Sequence, residues 1–242
     1  MALLFLCNSC VYLRLNTLRK QLAHFDKYCT YVDHDGPALL FKEPIVKTGD
    51  VKWLFGFEQP SEIDAGEKRQ VVRYILKKLW PDARREGEQD FSIICQFAFE
   101  KERMTEIGFP HGFDDVLTEE VINQMFKKAD DAEISKTSGT SRWEMGAKAE
   151  FPALSEVLKI SGRPFERSLA EGVHTLVFDY HLKGQDSPPE QVDCHTVMTF
   201  GEKDERMISV HVRIGTLYLD VDTTKDHKYK MTMKRSEDTE DR

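Results

Sequence analysis

Long apolar runs are missing from this chain. No stretch approaches 18 consecutive apolar residues, so no segment reads as a membrane-spanning helix. Cysteine is scarce: Cys7, Cys10, Cys29, Cys95 and Cys194. Only Cys7 and Cys10 are closely spaced, and no His stands near them to complete a zinc set. Positive charge is also short. A net charge of −8 argues against broad nucleic-acid binding, which needs a cationic surface against phosphates. Familiar catalytic signatures do not occur: no Gly-x-Ser-x-Gly elbow, no Gly-Lys-Ser/Thr phosphate loop, no His-Glu-x-x-His and no Gly-x-Gly-x-x-Gly. Asp114-Asp115 and Asp130-Asp131 fall at predicted helix ends, where caps and solvated carboxylates are the default. The expectation is a non-enzymatic protein without a cofactor.

What is present is a pattern that occurs twice. Gly56, Pro60, Tyr74-Ile75-Leu76-Lys77, Phe97 and Glu102-Arg103-Met104 are followed by Gly162, Pro164, Tyr180-His181-Leu182-Lys183, Phe200 and Glu205-Arg206-Met207. The Tyr-x-Leu-Lys blocks are 106 residues apart and the Glu-Arg-Met blocks 103, a spacing that suits a duplicated module able to fold alone. Gly56 and Gly162 fit left-handed helix ends, with a proline soon after each. Arg103 and Arg206 fall in turns before the third strand of each copy and read as solvated charge.

The strands show period two. Leu176, Phe178, Tyr180 and Leu182 form one inward face, Cys194, Thr196, Met198 and Phe200 the next, and Ile208, Val210 and Val212 a third. Leu217, Leu219 and Val221 supply a fourth strand after Gly215. In the first copy Val72, Tyr74 and Leu76, then Phe91 to Phe99, then Ile107 and Phe109 correspond, with Phe97 matched to Phe200. Val11, Leu15, Leu18, Leu22 and Phe25 make a helical stripe, with Arg14, Arg19, Lys20 and Gln21 off it. A hairpin is read across Asp33-His34-Asp35-Gly36, with His34 solvated. Short helices are expected over 51–55, capped by Asp50, over 119–126, capped by Thr118, and near 154–158. Residues 132–148 read as a loop and the last twenty as a charged mobile tail.

The N-terminus carries the strongest hint of an address. Ala2-Leu3-Leu4-Phe5-Leu6 is apolar, and Ser9 precedes Cys10 as a small residue precedes the lipid-bearing cysteine of a bacterial lipoprotein signal. Cys10 is therefore the candidate lipidation site. Cys7 stands where leucine is usual and no basic residue precedes the run, which points to a start upstream of Met1. The other reading places the N-terminal arm in the core of a soluble, cytoplasmic protein. Its ligand or metal site lies on the second sheet, where His181, His195 and His211 share the polar face.

Leu158-x-x-x-Gly162-Arg163-Pro164, Val177-Phe178-Asp179-Tyr180, Thr196 to Phe200 and Arg206-Met207-Ile208 together resemble the BamE/SmpA lipoprotein domain. That resemblance implies two helices on a three-stranded antiparallel sheet. It also implies a small lipoprotein of the bacterial outer membrane, one family member being an accessory of the machinery that inserts barrel proteins.

The sequence thus predicts an α+β chain of two tandem modules, each with short helices on a small antiparallel sheet. A signal-like segment covers 1–10, the modules 11–116 and 117–222, and the tail 223–242. The expected protein is a binding or scaffolding lipoprotein facing the periplasm at the outer membrane. Its partners are the membrane, through the lipid, and envelope proteins.

Overall fold

The computed structural model describes residues 2–33, 36–80, 91–109, 118–135, 140–146, 151–184, 191–223 and 228–235, with side chains from residue 10 onward. His34, Asp114, Asp115, the Cys7 side chain and residues 236–242 lie outside the described residues. The chain opens with helix α1 (Ala2–Ala23) and a single turn, α2 (Phe25–Tyr28). Next come strands β1 (Cys29–Asp33) and β2 (Pro37–Phe41), helix α3 (Thr48–Phe55), and strands β3 (Glu62–Ala65), β4 (Arg69–Lys78), β5 (Ser92–Glu100) and β6 (Arg103–Gly108). The second half repeats that order. It has helix α4 (Glu119–Phe126), a 3-10 turn at Ala129–Asp131, strands β7 (Glu133–Ser135) and β8 (Thr140–Glu144), and helix α5 (Leu154–Ser161). Strands β9 (Glu166–Ala170), β10 (Val173–Leu182), β11 (Cys194–Gly201), β12 (Met207–Ile214), β13 (Leu217–Thr223) and β14 (Tyr229–Arg235) complete it.

These strands do not form two small sheets. They form one antiparallel sheet of 14 strands, ordered β1-β2-β6-β5-β4-β10-β11-β12-β13-β14-β8-β7, with β3 added to β4 and β9 to β10. Strand accounts for 49% of the chain against 24% helix, so the fold is sheet-dominated and the α+β expectation of helices on small sheets is wrong. The reason is edge pairing. In each half, β4 or β10 would leave a row of unpaired backbone groups, and pairing them with each other satisfies both.

The register at this seam matters. Leu76 faces Leu182, and these are the equivalent residues of the two Tyr-x-Leu-Lys blocks. Equivalent strands that pair antiparallel at equivalent residues are related by a two-fold axis through the pair. Leu76 and Leu182 are almost wholly buried, and each contributes about 1.5–3 kcal/mol of apolar burial. The main asymmetry is at the far side. In the first half β6 pairs β2 directly, whereas in the second the β13–β14 hairpin stands between β12 and β8.

Three segments differ from their sequence reading. Residues 132–148 contain β7 and β8, whose Trp143 and Met145 alternate into the core. The tail contains β14, where Tyr229, Met231 and Met233 alternate with Lys230, Thr232 and Lys234. Charge-rich composition masked that period-two pattern. Ile208 faces outward, because a bulge between Thr199 and Phe200 sets Phe200 opposite Met207 and leaves Ile208 as the extra residue. The same bulge lies in the first half, where Phe99 faces Met104. By register, Phe99 is the counterpart of Phe200, and Phe97, opposite Ile107, corresponds to Met198, opposite Val210.

The short helices lock the halves together. The C-terminal carbonyls of α3 accept hydrogen bonds from the second half: Thr216 N to Phe55 O (2.9 Å) and Thr216 Oγ1 to Leu54 O (3.1 Å). Arg235 Nε donates to Trp53 O (2.8 Å). Reciprocally, Lys78 of the first half donates from Nζ to Ser161 O at the end of α5 (2.7 Å) and lies over the rings of Trp80 and Phe178. A cation at a helix C-terminus also complements the helix dipole. Gly56 adopts φ 70°, as a helix end requires, with Pro60 at the end of the loop that follows. Gly162 ends α5 ahead of Pro164 at φ 67° and ψ −154°, not in the left-handed helical conformation expected of it. Asp50 does not begin α3 but sits inside its first turn, accepting from Lys47 N (2.8 Å). Buried residues of both halves form one core cluster.

Gly215 is the tightest point of this interlock. It holds φ 55°, and an added Cβ would lie 1.9 Å from Phe55 O. Gly215→Ala is expected to cost about 2–4 kcal/mol, because both the left-handed backbone and the backbone contact must give. Gly49→Ala, which meets open space, is expected to shift stability by less than about 1 kcal/mol. Urea unfolding of the two variants measures the difference.

Candidate functional site

Helix α1 positions the candidate lipidation residue. Leu22 and Phe25 are buried and Leu15 and Leu18 pack against the core, so the predicted stripe faces inward. Arg14 fixes the helix to α3 through a paired contact with the buried Asp50, both bonds at 2.6 Å. A two-pronged guanidinium–carboxylate pair is among the stronger polar contacts in proteins. Its hydrogen bond to Asp50 raises the already high Arg14 pKa. Cys10 is exposed. Nearby, Tyr12 meets Trp53 edge-on (5.2 Å between centroids), and the Arg235 guanidinium covers the Trp53 ring at 4.2 Å.

Two polar residues of α1 point inward against expectation. Gln21 donates to Glu43 O (2.8 Å). Arg19 is 7% exposed and donates to Asn16 Oδ1 (2.9 Å), while its Nε and Nη1 have no partner. Desolvation lowers the Arg19 pKa, and Asp130 opposes that shift.

The three histidines keep the polar face that the pleat assigned them, but they do not gather. Register places His195 opposite Asp179, so His181 is two residues further along β10; His211 lies opposite Val197. They therefore run along a diagonal across three strands, with the outer two about 16 Å apart from strand spacing and rise. Each has other surroundings. His195 Nδ1 is 2.5 Å from Asp179 Oδ1. His211 lies between Asp220 (3.1 Å) and Asp222 (3.7 Å). His181 faces Lys77 in the ladder. Among the described residues no group of three His, Cys, Asp or Glu could hold a metal ion.

The Asp179–His195 pair is the arrangement that orients a catalytic imidazole, but the strand register sets no described hydroxyl or thiol against it. Across the ladder His195 faces Asp179 and Arg213, and its same-face neighbour on β11 is Val197. The Thr199–Ser209 hydroxyl pair is four residues away along the strand, about 13 Å. The Cys194 and Thr196 side chains lie on the opposite face.

The repeated Glu-Arg-Met blocks have a structural role in both halves. In the first, the β5–β6 turn is held to the approach to α3 by Met104 N to Val46 O (2.7 Å) and Arg103 Nη1 to Pro44 O (3.2 Å). In the second, Leu154 N donates to Glu205 O (3.1 Å) and Ser155 Oγ to the Glu205 carboxylate (2.8 Å). Arg206 N bonds Asp204 within the turn (3.1 Å). Glu102 and Glu205 both hold positive φ.

The inward thiols are inert. Burial pushes Cys29 up to about 11 and both Cys95 and Cys194 up to about 12, from 9.0. It also pushes Tyr74, whose hydroxyl has no partner, up to about 12. Comparison with protein-family models, curated proteins and solved structures returned no match.

Two outcomes are expected. In the unprocessed native chain, a thiol reagent read by mass mapping modifies Cys10 first, the partly buried Cys95 more slowly, and the buried Cys29 and Cys194 only after unfolding. Stability is intact below pH 9.0 and falls above it, because the unfolded chain releases thiol protons there while the native chain retains them. Each such group steepens the fall by up to about 1.4 kcal/mol per pH unit. Denaturant titrations between neutral and strongly alkaline pH measure the slope.

Proposed function

We propose that this chain is a non-enzymatic cell-envelope lipoprotein, held by lipid on Cys10, that acts as a binding or scaffolding subunit facing the periplasm at the outer membrane. The observation that carries this reading is the exposure of Cys10 on α1, directly after Ser9. A second feature agrees with it. Contacts that seat α1, from Arg14 to Asp50 and through Leu18 and Leu22, lie after Cys10, so signal removal leaves these in place.

The outer sheet face suits a scaffold. Successive strands carry Thr199, Ser209, Asp222, Lys230 and Glu144 in register, a polar ladder of which Asp222, Lys230 and Glu144 are exposed. Envelope proteins are the proposed partners of that face. The resemblance to the BamE/SmpA domain supports the same address. The soluble metal-binding alternative has lost its main support, since the three histidines do not converge.

The test is intact mass and membrane partitioning of the chain expressed from its full upstream reading frame, beside Cys10→Ala. Acyl mass and membrane association, both lost in Cys10→Ala, are expected. An unmodified protein in the soluble fraction ends the lipoprotein reading.

A further inference from the structure

The exposed side of α1 is a continuous stripe. Cys10, Leu13, Thr17, Lys20 and His24 follow steps of 3, 4, 3 and 4 and are all exposed, opposite the stripe that enters the core. Leu13 is 66% exposed, the most of any large apolar side chain among the described residues, and the adjoining Tyr12 is 42% exposed. Singly exposed apolar residues need no explanation, but here they stand together at the end that bears Cys10.

Charge separates this helix from the rest of the molecule. Residues 1–25 contain Arg14, Arg19 and Lys20 and no Asp or Glu, whereas the whole chain carries −8; everything after residue 25 therefore carries −11. Arg14 is paired with Asp50 and Arg19 turns inward, so Lys20 carries the exposed positive charge of this carboxylate-free stripe, a face that an anionic partner can approach. Asp130 lies at the far end of the stripe, 3.5 Å from His24 Nε2. Tyr12, Trp53 and Arg235 group beside the stripe, an aromatic pair with a guanidinium stacked on it. Trp and Tyr favour the headgroup zone of a bilayer because they combine an apolar body with a polar tip, and Arg binds phosphate.

We infer that α1 lies flat on an anionic phospholipid surface, with the Cys10–Leu13–Thr17–Lys20 stripe toward the headgroups and the Tyr12–Trp53–Arg235 group at its edge. This contact takes its setting from the lipoprotein reading but does not require the acyl chains. An acyl chain alone anchors weakly, and a second, electrostatic and apolar contact makes attachment stable and fixes orientation.

The test uses the full chain with Cys10→Ser, which cannot be acylated there, in sedimentation with vesicles. One set is phosphatidylglycerol with phosphatidylethanolamine; the other is phosphatidylcholine. Binding to the anionic vesicles that weakens with salt is expected. Leu13→Glu is expected to weaken it about tenfold and Lys20→Glu about fivefold, while Ile208→Glu on the outer sheet face leaves it unchanged. Retained protection of Cys29 and Cys194 shows that each variant is folded. Absence of binding by folded Cys10→Ser protein overturns the inference, as does equal loss in Leu13→Glu and Ile208→Glu. Acyl mass on the unsubstituted protein without vesicle binding by Cys10→Ser removes the docking surface and leaves the anchor. Vesicle binding without acyl mass does the reverse.

Discussion

The structure depends on the antiparallel seam between β4 and β10. Only three residue pairs cross it, Leu76–Leu182, Lys77–His181 and Lys78–Tyr180, yet it turns two half-sheets into one. Backbone groups on a sheet edge must find partners or water. Duplication supplies a partner of matched length and pattern, since each copy carries the same strand. The seam also explains why helix ends cross between halves. With β4 and β10 adjacent, the end of α5 comes within reach of Lys78, and the β12–β13 turn within reach of the end of α3. The two copies are consequently not independent bodies. They share one core, and the interlock puts inter-copy hydrogen bonds where isolated domains would have solvated helix ends.

The sheet has two chemically distinct faces. The inner face carries the aromatic cluster of Phe55, Phe57, Tyr74 and Phe97 and the inert thiols, and pulls the helices onto it. The outer face carries alternating polar side chains that pair across strands. His195 and His211 are held in separate Asp contacts and His181 stands opposite Lys77, so a shared face did not amount to a shared site. The proposed membrane attachments use neither face. They lie on α1, which the Arg14–Asp50 pair holds in a fixed orientation.

Several features were legible in the residues. The period-two strands β10 and β11, the β1–β2 hairpin, the Thr118 cap and the inward stripe of α1 all follow local rules, and local rules are readable in a linear string. What escaped was masked by composition or set by partners. Strand β14 is rich in lysine, and β8 sits among serines and threonines; in both, two or three alternating large side chains carried the signal. The Ile208 bulge came from the ladder with β11, and the inward turn of Arg19 and Gln21 from where α1 sits against the rest.

The sequence by itself determined the duplication, the pleat parity of the strongest strands and the helix ends at Gly56 and Gly162. Each rests on backbone preference or on periodic burial within a few neighbouring residues. Only the tertiary structure decided that the copies share a sheet, which residues meet across the seam, and that the three histidines stay apart. Those outcomes depend on strand register between segments about a hundred residues apart, and register follows from how edges pair and cores close rather than from local pattern.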